Sequence, residues 1–198
     1  MLSMSKPSAS ALAQPHRSSS LAPQALARRL RAGGYVLVMR HAHSPLEPPS
    51  AAEPGNSQHE RQLDAAGKAS ARALGAALHA LGIPIGPVYS SPTFRARETI
   101  KLAGLPSPTL VSQLAEGAHG MGSSAEESHA AWLREAVDRL PPSGSNTLIV
   151  THTPNIVGAF GRRVANIQGS EMLVFVPEGG RPARLLGCIT VEPPTTSP

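Results

Sequence analysis

The chain has 198 residues, room for one core of ordinary domain size and too few for two. Hydrophobic residues make up 40% but aromatics only 3%, so the interior has to be built from Ala, Leu, Val and Ile. The net charge of +5 argues for a nucleic-acid partner only until it is located: Lys6, Arg17, Arg28, Arg29 and Arg31 stand in residues 1–33 without one acid, and from Gly34 onward thirteen basic residues balance thirteen acidic ones.

Residues 1–22, rich in Ser, Ala and Pro without a period, read as a disordered basic tail ahead of a single domain over 23–198. An Ala-Leu-Ala at 11–13 looks like a signal-peptidase site, but the segment before it lacks an apolar h-region. No run approaches the ~20 apolar residues of a membrane span, so no membrane partner is expected. The chain reads as cytoplasmic, or as periplasmic or secreted if the true start lies elsewhere. A short basic helix over 23–32, stopped by Gly33 and Gly34, leads into the domain with its charges on a solvated face.

The apolar run 35–39 (YVLVM) predicts a buried strand that delivers Arg40 and His41 at its carboxyl end. After a Pro- and Ala-rich loop, Asp64 caps a predicted helix over 65–81, with Ala69, Ala73, Leu74, Leu78 and Leu81 at helical spacing. Residues 87–90 form a second strand, Pro92 opens a helix to about Leu102, and 109–113 (TLVSQ) a third strand. Ser124 and Glu127 suggest a capping box for a helix reaching about Leu140, in which Trp132 packs on the sheet. Residues 147–151 (TLIVT) are another buried strand, with His152 directly after it. A short helix and strands near 172–176 and 185–191 complete the chain. The only cysteine, Cys188, falls in the last of these as a core thiol and excludes any internal disulfide. Alternating strands and helices predict an α/β three-layer sandwich with a central, mostly parallel sheet, whose sites lie beyond the carboxyl ends of the strands.

Arg40, His41 and His152 all reach that edge. So does Arg95, in the first turn of the helix opened by Ser90-Ser91-Pro92, where free N–H groups already favour an anion. Two arginines and two histidines suit a phosphoryl group, whose transfer depends on positioning and charge stabilisation. A neutral imidazole can attack phosphorus and divide one hard displacement into two easier ones. No His-x-x-x-His or equivalent cluster offers a metal site, and no cofactor is expected.

Arg40-His41-Ala42, the segment Ser90–Thr99 (SSPTFRARET) and Thr151-His152, in that order and spacing, resemble the motifs of the histidine phosphatase superfamily, the phosphoglycerate-mutase-like fold. The resemblance implies a phosphatase acting on a phosphomonoester or phosphohistidine, on a small molecule or a phosphoprotein, through a covalent phosphohistidine and without a metal. It implies His41 as nucleophile and Arg40, Arg95 and His152 as holders of the phosphoryl oxygens. The Arg-Ala-x-x-Thr pattern selects Arg95 over Arg97, which reads as a surface residue of the same helix. Ser44 matches a phosphate-contacting Ser of mutase-type members, and is otherwise a turn residue before Pro45. Ala42 stands where Gly is usual and predicts a bulkier pocket floor. Thr153 replaces the acid-phosphatase branch's proton-donating Asp, although Asn155 matches that branch's Asn.

The donor is then sought in Leu114-Ala115-Glu116, which resembles the Leu-x-Glu of the mutase-like branch. Beside a phosphoryl group its pKa would be pushed upward, as a general acid requires. Glu116 also reads as an ordinary loop acid, and Glu47, Glu53 and Glu60 are rivals. His43 adjoins the site within reach of substrate. Two other readings stay open: a non-catalytic protein of the same fold that binds phosphorylated ligands, and an interaction protein working through its basic tail.

Overall fold

The computed structural model describes residues 23–45, 60–116, 123–169 and 171–190. In chain order these form α1 (Pro23–Leu30), β1 (Val36–Arg40), α2 (Ala65–Ala80), β2 (Ile85–Ser90), α3 (Phe94–Leu102), β3 (Thr109–Leu110), a 3₁₀ turn (Ser112–Leu114) and α4 (Ser123–Asp138). There follow β4 (Asn146–Thr151), α5 (Thr153–Phe160), a second 3₁₀ turn (Arg162–Val164), β5 (Glu171–Val176) and β6 (Arg184–Thr190).

Strand alternation explains why the middle strands are apolar on both faces. Leu37 and Met39 of β1, with Leu148 and Val150 of β4 and Met172 and Val174 of β5, face Leu26 and Leu30 of α1, Leu74 and Leu78 of α2, and Ile100 of α3. Val36 and Val38, with Ile149, Leu173 and Phe175, face Leu133 of α4 and Ile156 of α5. The sheet therefore lies between two helical layers. Its order is β3-β2-β4-β1-β5-β6, parallel from β3 to β1 and antiparallel across β5 and β6. This is the three-layer α/β sandwich that the sequence predicts.

The N-cap of α2 forms as predicted, the Asp64 carboxylate accepting from Gly67 N at 2.7 Å. The buried stripe of that helix is Gly67, Ala71, Leu74 and Leu78, with Ala69 exposed. Gly75 lies against the backbone of Ala103, where a β-carbon would overlap the carbonyl, so glycine is what lets α2 and the end of α3 cross this closely. Trp132 meets Tyr89 of β2 edge-on, centroids 5.9 Å apart, and so does pack α4 on the sheet.

Three expectations change. The strand predicted over 109–113 is two residues long, because the chain leaves the sheet edge at Val111 and turns into 3₁₀ at Ser112. Ser124 lies inside α4 and not at its cap, and Glu127 pairs with Arg134 further along the helix. Cys188 is only half-buried and donates its thiol to Glu171 at 2.9 Å; burial and that carboxylate push the thiol's pKa up. Helix α1 packs into the core, with Leu26 and Leu30 fully buried and Arg28 and Arg29 exposed.

Candidate active site

Strands β2, β4 and β1 are neighbours and parallel, and their registers align Ser90 with Val150 and Arg40 with Thr151. Their carboxyl ends are therefore level, and the residues that follow must converge. His41 and His152 do so, with ring centroids 5.1 Å apart. Each is almost fully buried, at 2% and 1% exposure. Arg95, in the first turn of α3 and 5% exposed, reaches between them.

Arginine can only donate, and this fixes the state of both rings. Its Nε–H is given to His41 Nε2 at 3.0 Å, and its Nη2 to His152 Nδ1 at 3.2 Å. Both nitrogens must carry lone pairs. The remaining N–H of His41, at Nδ1, goes to the carbonyl of its neighbour Ala42 at 2.7 Å. That of His152, at Nε2, goes to Ser91 Oγ at 2.9 Å. Burial, opposed by the Ala42 carbonyl and reinforced by the charges of Arg95, Arg40 and Arg61, brings the pKa of His41 down to about 3. Burial followed by the Arg95 charge lowers that of His152 well below its ordinary value. His41 thus presents an unprotonated Nε2 at neutral pH, the state a nucleophile needs.

Glu116 follows the 3₁₀ turn, and its carboxylate pairs with Arg95 Nη2 while lying 3.7 Å from Arg61 Nη1. The turn that delivers it is tied to the β4–α5 junction: Thr151 Oγ1 donates to Leu114 O at 2.9 Å, and Asn155 Nδ2 to Ala115 O at 2.9 Å. The match of Asn155 to a branch motif thus coincides with a structural task, holding the Glu116 loop.

Of the rival acids, Glu60 accepts from Phe94 N at 2.5 Å, supplying the cap that Thr93 does not give α3. Glu47 and Glu53 lie outside the described residues. Ser44 is buried and gives its hydroxyl to Gln62 O at 2.8 Å, a loop-fastening bond. Arg40 is half-buried, and among the described residues its guanidinium has no hydrogen bond or ion pair. His43 turns outward to Asp64 at 2.7 Å and is largely exposed. The methyl of Ala42 enters a small apolar cluster with Leu63 and Ala71, so it packs beneath α2 and does not raise the pocket floor. Arg97 is not a plain surface residue: its Nε is buried without a partner beside a cleft of about 370 Å³ with Phe94, Lys101, Pro108 and Leu110.

Sequence reasoning missed Arg61. It binds Ser44 O at 3.0 Å and Pro45 O at 3.1 Å, and its charge acts on His41, His152 and Arg95. It lies far along the chain from His41 and outside any strand-end motif, so only the fold reveals it. Thr99 was visible as the last motif residue; its Oγ1 donates to Arg95 O at 2.7 Å and accepts from Ala42 N at 3.1 Å, locking nucleophile loop and arginine helix together. Among the described residues no group of three or more His, Cys, Asp or Glu is placed to hold a metal.

Solved structures share this architecture. The protein histidine phosphatase SixA, in a complex with tungstate, superposes with a TM-score of 0.55 at 19% identity, covering 79% of this chain and 96% of that one. Phosphoserine phosphatase from Entamoeba histolytica, in complex with 3-phosphoglyceric acid, gives 0.56 at 14%, covering 80% and 98%. TTHB049 from Thermus thermophilus gives 0.53 at 20%, covering 77% and 99%. At these identities the likeness is one of fold. No curated protein matches the sequence significantly. The family model described as histidine phosphatase superfamily (branch 1) matches residues 36–147, more than half of the sequence and the part that carries His41 and Arg95. By that match, and by a fold and strand-end geometry in keeping with it, the chain belongs to the histidine phosphatase superfamily.

Proposed function

We propose that this protein is a phosphatase that hydrolyses a phosphomonoester or phosphohistidine through a covalent intermediate on His41. The observation that carries the reading is the unprotonated Nε2 of His41, its lone pair fixed by Arg95 at the meeting of three strand ends. Arg40, Arg61 and Arg95 supply the positive charge that phosphoryl transfer requires, so the scheme runs without a metal. SixA and phosphoserine phosphatase, by their names, act on phosphorylated histidine and serine, which accords with either substrate class.

In the first step the Nε2 lone pair attacks phosphorus, the bond from phosphorus to the leaving oxygen or nitrogen breaks, and Glu116 gives that atom a proton. Arg40 and Arg95 hold the phosphoryl oxygens, and His152 joins them as its ring N–H turns from Ser91 to an oxygen. In the second step the Glu116 carboxylate takes a proton from water as it attacks phospho-His41. The P–N bond breaks, its electron pair returns to Nε2, and phosphate leaves. Simple retention of a phosphorylated ligand would need the arginines but not a nucleophile kept free of its proton.

The test is hydrolysis of an aryl phosphate over roughly pH 4 to 9 with EDTA present, comparing wild type with His41→Ala. Activity that survives EDTA and is lost in the variant is expected. Equal activity in both proteins would remove His41 from the mechanism, and folded but inactive wild type would favour a binding protein.

A further inference from the structure

Arg95 enters the reaction scheme as a holder of phosphoryl oxygens, yet here its inward-facing donors are already engaged. Nε–H is on His41, and the two hydrogens of Nη2 are on His152 and Glu116. Only Glu116 among these acceptors is charged, and only it is substantially exposed, at 35% against 5% for Arg95. Its carboxylate also approaches Arg61, so one anionic group lies against two guanidiniums at the mouth of the site. Both approaches are made by one carboxylate oxygen, Oε2, and an anionic oxygen of a phosphoryl group would make the same demand on these two guanidiniums.

We propose that Glu116 is the stand-in for the phosphoryl group in the free enzyme, and that an entering tetrahedral oxyanion displaces it from Arg95 and Arg61, with uptake of one proton. The inference rests on the phosphate-binding role given above to Arg95. In the free enzyme the carboxylate sets one negative charge against the buried guanidinium of Arg95 and beside that of Arg61 until substrate arrives. On binding, the Arg95–Glu116 ion pair opens and the freed N–H groups pass to the oxyanion. The carboxylate then faces a dianion where it had faced a guanidinium, and it binds one proton from solvent. That is the proton it gives to the leaving group. Substrate binding therefore arms the acid.

The groups around Glu116 define the competing explanations. Arg95 comes from α3 and Arg61 from the loop before α2, and behind Arg95 lie His41 and His152, both neutral. Arg40 and Glu60 act on Arg95 by charge alone. The arginines hold their protons throughout, so the rival acceptors of an incoming proton are the two histidines and the Glu60 carboxylate.

Calorimetric titration of the full chain with tungstate decides the matter. The probe is a tetrahedral dianion carrying no proton of its own at roughly pH 7 to 8, and buffers of different ionisation enthalpy report the protons exchanged. Wild type is expected to take up about one proton per tungstate, and its affinity to fall by up to about tenfold per pH unit. Glu116→Gln, which keeps a neutral acceptor for Arg95, is expected to bind more tightly at the upper pH, with the uptake and the pH slope gone. Wild type without proton uptake would overturn the proposal, as would the same uptake in Glu116→Gln, which would assign it to His41, His152 or Glu60. The wild-type pH slope is read without any variant. Folded wild type that does not bind tungstate at all would instead remove the phosphate-binding reading beneath it.

Discussion

A histidine that is to attack phosphorus, the role proposed for His41, has to be kept from protonating, and here this is done with few parts. Burial removes the solvent that would stabilise an imidazolium, and Arg95 contributes both a repelling charge and a hydrogen bond that only a lone pair can accept. The arrangement has a cost for stability that can be measured. His41 titrates at about 3 when folded and near 6.5 in an unfolded chain. Between those values the unfolded state binds more protons, so stability falls as pH drops below about 6.5 and His41 adds no pH dependence above it. The slope is at most about 1.4 kcal/mol per pH unit for such a group, and His152 adds to it with the same sign. Urea unfolding of wild type at neutral pH and at roughly pH 4.5 should show this loss, and His41→Gln should lessen it. An equal acid sensitivity in the variant would mean that His41 is not held neutral by the fold. At this scale the sequence was informative where a residue sits next to a strand end, as His41, Arg95 and His152 do. It was silent on Arg61 and on the hydroxyl of Ser91, whose tasks exist only once distant segments touch.

The element that organises the acid is the junction of β4 and α5. Thr151, the last residue of the strand, and Asn155, in the first turn of the helix, are one helical turn apart and hydrogen-bond each other at 3.0 Å. Both hold carbonyls of the turn that carries Glu116. Removing the Asn155 side chain should release one end of that turn while leaving nucleophile and arginines in place. Asn155→Ala is therefore expected to lower turnover of alkyl phosphates about tenfold or more, and that of aryl phosphates, whose leaving groups need little protonation, much less. A parallel loss on both substrates would show that the residue supports the fold and not the acid. The elements themselves were legible from apolar runs and caps because each run of β1 and β4 is buried on both faces. The third strand was not, because the apolar pattern of 109–113 continues through Val111 while the hydrogen bonding turns away into the 3₁₀ turn that aims Glu116. The cap of α4 was misplaced for the opposite reason: a capping-box pattern also fits two helical residues facing solvent.

For the whole molecule, the parallel half of the sheet carries the candidate site and the antiparallel half completes the core. β5 and β6 place no residue among the contacts of His41, Arg95, His152 or Glu116, yet β5 lies directly against β1 and shares both core clusters with it. α1 belongs to the same supporting half, since its leucines close the face on which α2 and α3 also lie. That placement sets a limit on how the protein can be cut. The family match begins at Val36, which invites trimming everything before it as a disposable leader. Such a trimmed protein would lose Leu26 and Leu30 and open a hole of two leucine side chains over the sheet, roughly 2–5 kcal/mol for each by the cost of emptied core sites. A version starting at Val36 should melt far below the full chain or not fold, and equal melting temperatures would mean that α1 is no part of the core. Arg28 and Arg29, part of the basic run before the family match, thus stand on the outside of a helix whose other side is a plug.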